Sequence, residues 1–125
     1  MEYAEAAREM MARLADDADD VAAAGVIQLA LEAWKRLAGT DLAWDRFGLE
    51  LLDVRARLYA DHDVVVDAEA PVRDDADTRL VVATLMEQLA RYHERQATND
   101  RDDLARRLSH DAGAQQLRRA AAALA

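Results

Sequence analysis

The chain contains no cysteine, which excludes disulfides, thiolate metal centres and thiol nucleophiles. Proline occurs once, at Pro71, and glycine only at positions 25, 39, 48 and 113. Glycines so dispersed build no phosphate-cradling loop. The single serine, Ser109, has no Gly-x-Ser-x-Gly setting, so the hydrolase nucleophile is missing too. No apolar run approaches the ~18 residues needed to cross a bilayer. The start, Met1-Glu2-Tyr3-Ala4-Glu5, lacks the basic residues and apolar core of a secretion signal, and a cytoplasmic location is expected. Lysine is nearly absent as well: Lys35 stands alone, and arginine carries the remaining positive charge.

What is present is alanine, aspartate, arginine, leucine and valine, in a chain of 125 residues with a formal net charge of -9. That length suits one domain with one core. An acidic surface repels phosphate and anionic lipid, so neither a nucleic acid nor a membrane is expected as partner. The only locally basic region, Arg106, Arg107, Arg118 and Arg119, is interleaved with acids and alanines. Alanine is the best helix former, breakers are scarce, and Val, Ile and Thr never alternate with polar residues over a strand length. The expected fold is all-α: an antiparallel bundle of four main helices plus a shorter C-terminal helical region.

Apolar spacing places the helices at about 2–15, 19–38, 41–60 and 74–97. In the first, Tyr3, Met10, Met11 and Leu14 form one face, and the methionines offer an adaptable apolar surface. In the second, Val21 to Leu31 is apolar almost all round except for Gln28, as befits a central helix. Gly39 stops it, and Thr40 or Asp41 caps the next. So short a turn makes helices two and three a hairpin, with Trp34 and Trp44 packed together near it. Gly25 and Gly48 mark close helix–helix approaches, with a contact of one glycine on the other across this hairpin as the expectation. Residues 61–73, with three consecutive valines and Pro71, read as a long extended crossover. Asn99 reads as the cap of a final region, about 99–125, that pauses near Ser109 to Gly113. Its large apolar residues are few, which predicts a weakly packed extension to a single domain spanning 1–125.

Asp16, Asp17, Asp19 and Asp20 crowd into five positions, in the spelling some helical enzymes use to hold Mg²⁺ on a diphosphate. In one helix such charges repel, whereas at a helix start they meet the positive end of the dipole and cap free N–H groups. Asp74, Asp75 and Asp77 stand in the same position before the fourth helix. Two clusters in one grammatical position predict two caps; convergence of 16–20 with 74–77 would instead indicate a metal site.

A second metal pattern is Glu2–Glu5 with Glu50–Asp53, two acidic pairs at i,i+3. It is similar to the Glu-x-x-Glu and Glu-x-x-Asp pairs of helical Mg²⁺-dependent nucleotide pyrophosphohydrolases, though without that family's doubled glutamate and with far wider separation. His62-Asp63 and His110-Asp111 spell the His-Asp pair of helical phosphohydrolases without its other ligands. His62 and His110 are expected in solvent, and His93 at the C-terminal carbonyls of its helix. No catalytic residue and no cofactor is predicted. The expected function is that of a small acidic non-enzymatic bundle acting through protein–protein contacts, as a homo-oligomer or an accessory or regulatory subunit. The alternative is the pyrophosphohydrolase-like enzyme, with Glu2, Glu5, Glu50 and Asp53 as metal ligands.

Overall fold

The computed structural model describes residues 1–16, 19–62, 64–100 and 102–125. Asp17 and Ala18 of the first aspartate cluster, and Asp63 of the first His-Asp pair, lie outside the described residues. Among the described residues five helices follow one another: α1 (Tyr3–Asp16), α2 (Asp20–Leu37), α3 (Leu42–Leu58), α4 (Ala76–Asn99) and α5 (Leu104–Ala123). The same residues include no strand, and the fold is an all-α bundle.

Aspartate opens four of these helices. Asp19 accepts from Ala22 N at 2.7 Å, Asp41 from Ala43 N at 2.8 Å, Asp75 from Thr78 N at 2.8 Å and Asp103 from Arg106 N at 3.1 Å. Each satisfies an N–H that the helix itself cannot, typically worth about 1 kcal/mol. Asn99 is the last residue of α4, not a cap, because Asp103 takes that role for α5. α2 ends at Gly39, whose φ of +85° is readily open only to glycine.

Contacts pair early residues of one helix with late residues of its neighbour. Tyr3 Oη donates to Leu29 O at 2.5 Å, and Met10 covers Gly25, so α1 runs antiparallel to α2. Trp34 covers Gly48 across the α2–α3 hairpin. The two glycines thus admit a methionine and a tryptophan from neighbouring helices; they do not meet each other. Trp34 is separated in role from Trp44, which is buried edge-on against Phe47 at 5.5 Å between ring centroids. Met10 and Met11 are packed against the core and remain partly accessible.

The C-terminal region departs most from expectation. α5 is an unbroken helix, longer than α1, α2 or α3, and it passes through Ser109–Gly113 without a pause. It is not weakly packed: Ala114, Leu117, Ala120, Ala121 and Leu124 are buried against α3 and α4. Small side chains allow helix axes to approach closely, so alanine does here what larger residues do elsewhere. Gly113 lets Leu58 of α3 sit against the α5 backbone. Between α3 and α4, residues 64–75 have no regular structure, as the valine run and Pro71 suggested. This strap packs Val64, Val66 and Ala68 on the core and is tied to the N-terminus by Glu69 N donating to Met1 O at 3.0 Å.

Candidate functional site

The end of the bundle where α2 begins and α4 finishes holds a polar cavity of about 350 Å³. Four side chains from three helix ends meet there. Tyr59 follows the last turn of α3; His93 lies on the buried stripe Met86–Leu89–His93–Ala97 of α4; Asp100 ends α4; His110 comes from the second turn of α5. Tyr59 Oη lies 2.6 Å from His93 Nε2, and His93 Nδ1 lies 2.9 Å from His110 Nδ1. His110 Nε2 lies 3.4 Å from Asp100 Oδ2.

The chemistry of the two ends sets the direction of this chain. A carboxylate only accepts, so His110 presents N–H at Nε2 and, in its neutral form, a lone pair at Nδ1. That lone pair accepts a hydrogen bond from His93 Nδ1–H, which leaves His93 Nε2 to accept from the Tyr59 hydroxyl. Tyrosine and the two imidazoles therefore form one directional hydrogen-bonded chain, with the Asp100 carboxylate 3.4 Å beyond its end. Burial, with repulsion from Tyr92 and Asp20 added, pushes the Tyr59 phenol well up and keeps it a donor. Burial above all, then His110, pulls His93 down to about 4, against a smaller opposing pull from Asp20. Tyr92 Oη donates to Asp20 Oδ1 at 2.7 Å, tying the start of α2 to α4. Burial and this bond raise the Tyr92 phenol above its ordinary value.

His93 therefore does not cap carbonyls, and His110 is not simply solvated; His62 is exposed at the cavity rim, edge-on to Tyr59. The signal that could have found His93 was its place on an apolar stripe at i, i+3, i+7, a position where histidine needs partners.

Among the described residues the two aspartate clusters do not converge. Asp20 reaches Tyr92, whereas Asp75 caps the other end of the same helix, roughly 25 Å away at 1.5 Å per residue. Asp74 is instead clamped by Arg79 at 2.7 and 2.8 Å, which holds its carboxyl below the usual range. Glu2 and Glu5 lie at the start of α1, Glu50 and Asp53 on α3, and among the described residues these two helices do not touch. Glu50 pairs with Arg119 at 3.5 Å; Asp53 accepts from Arg57 at 3.2 Å and from Gln116 at 2.7 Å. The pairs proposed as Mg²⁺ ligands thus stand apart, and the α3 pair serves to dock α5. Among the described residues no three His, Asp or Glu side chains are grouped so as to hold a metal ion.

A second feature lies on the outside of α3. Trp44, Phe47, Leu51 and Val54 point into the core, and on the opposite side Leu42, Leu49 and Leu52 are 60%, 74% and 37% exposed. With Asp45 and Ala56 they occupy positions 42, 45, 49, 52 and 56, alternating steps of three and four that trace one straight stripe. No family model, no curated protein and no solved structure matches the chain. No helix among the described residues is long and apolar enough to cross a membrane.

Proposed function

We propose that this protein is a non-enzymatic helical-bundle module that acts through protein–protein contacts, and that the outer face of α3 is its working surface. The observation that carries the reading is the leucine stripe at 42, 49 and 52. Single exposed leucines are ordinary; three of them in one file, at steps of seven and three on a helix whose other face is fully buried, are the pattern of a helix-to-helix contact. The hydrogen-bonded chain of Tyr59, His93 and His110 supports this division of labour: it stitches α3, α4 and α5 together where they meet.

The test is a photo-crosslinking residue placed at position 49 in cells producing the protein, with the exposed Glu9 position of α1 as control. Adducts are expected from position 49 and not from position 9, and Leu52→Glu in the same chain removes them. Absence of any adduct from position 49 contradicts the proposal.

A further inference from the structure

We infer that the occupant of this face is a second copy of the chain, with the two α3 helices side by side and antiparallel. The inference rests on the reading of α3 as a contact surface and adds the partner and the register.

In heptad terms Leu42, Leu49 and Ala56 take the a positions and Asp45 and Leu52 the d positions. The residues beside the seam are then Arg46 and Asp53 on one flank, at e, and Gly48 and Arg55 on the other, at g. In a parallel pair each e residue faces a g residue, which would set Asp53 against Gly48, a position that Trp34 covers. In an antiparallel pair e faces e, and Arg46 comes beside Asp53 of the second copy. A two-fold axis makes that contact twice, as an isologous interface requires. Leu49 then lies against Leu52 of the copy, also twice, and Asp45 faces the small Ala56.

Arg46 has room for a carboxylate partner, and Asp53, though ion-paired to Arg57, keeps one carboxylate oxygen open. Arg46, like Arg36 and Arg55, has no carboxylate within 4 Å among the described residues. Both hydrogen bonds that Asp53 accepts from its own chain go to Oδ2, and Oδ1 accepts none among the described residues. An unpaired cation and an unpaired carboxylate oxygen therefore flank one apolar stripe at the spacing that self-pairing needs. A single helix buries less than the roughly 800 Å² per partner of a standard stable interface, so the affinity expected is on the order of micromolar or weaker.

Sedimentation equilibrium of the whole chain from about 1 μM to about 1 mM brackets such a dissociation constant. The wild type is expected to dimerise over this range, and Leu49→Glu to remain a monomer while keeping its helical circular dichroism. Arg46→Glu alone and Asp53→Lys alone each place like charges across the axis twice and are expected to weaken association about tenfold. Mixing the two variants sets an introduced acid beside an introduced base on one side of the axis and leaves the native Arg46–Asp53 pair on the other. The mixture is therefore expected to restore the dimer. Should Asp53→Lys lose its cooperative unfolding through the broken Gln116 contact, Leu49→Glu and Arg46→Glu, both on exposed positions, carry the test. A wild type that stays monomeric, a dimer indifferent to Leu49→Glu, or a mixture no tighter than either variant overturns the inference. A monomeric protein that still gives position-49 adducts to another protein overturns self-pairing and leaves the contact surface standing.

Discussion

At the scale of single residues, His93 makes the stability of the fold depend on pH. In the folded chain its imidazole is held down to about 4 by burial and by His110, against about 6.5 in an unfolded chain. The unfolded state therefore binds the proton first, and stability falls as pH drops from about 6.5 to about 4. The loss approaches about 3 kcal/mol from this residue, with no contribution above that window. Urea unfolding at pH 7 and pH 4.5 checks it: His93→Gln is expected to flatten the difference, and an equal difference in both proteins contradicts the assignment. The glycines separate in the same way. At Gly48 an added methyl meets the rigid Trp34 indole, and Gly48→Ala is expected to destabilise by about 1 kcal/mol or more despite the gain in helix propensity. At Gly25 the obstacle is the flexible end of Met10, so Gly25→Ala is expected to be neutral or stabilising by up to about 1 kcal/mol in thermal unfolding. Both glycines were legible as close approaches from sequence, because glycine inside a helix has a cost that packing must offset. Their partners were not, because periodicity names a face and not what covers it.

At the scale of elements, α5 corrects the rule that many large apolar residues are needed for firm docking. Leu117 is fully buried among alanines, and Gln116 and Arg119 reach Asp53 and Glu50 on α3. Leu117→Ala is expected to lose about 2–5 kcal/mol in chemical denaturation, the ordinary range for a buried leucine; a loss under about 0.5 kcal/mol would mean that α5 is loosely held after all. The positions of α1 to α4, the aspartate caps of α2, α3 and α4, the turn at Gly39 and the extended stretch around Pro71 were readable, since they depend on local periodicity and on the chemistry of helix ends. The tightness of α5 was not, because it comes from the absence of side-chain bulk across an interface. The histidine chain was missed for a related reason. Tyr59, His93 and His110 are distant in sequence, and only the crossing of three helix ends joins them.

At the scale of the molecule, the acidic pairs with metal-ligand spacing are divided between α1 and α3, which share no contact among the described residues. Millimolar Mg²⁺ or Mn²⁺ is accordingly expected to leave the thermal midpoint unchanged; a rise that saturates with metal concentration would contradict this, because a ligand of the folded state must stabilise it. The outward surface proposed for contact is the α3 face, and its use is the central claim. The most direct measurement is a dilution series followed by backbone amide NMR. Concentration-dependent shifts are expected along residues 42–56, strongest near Leu49 and Leu52, and absent in Leu49→Glu. Spectra that do not change with concentration, or changes centred on another helix, would contradict it.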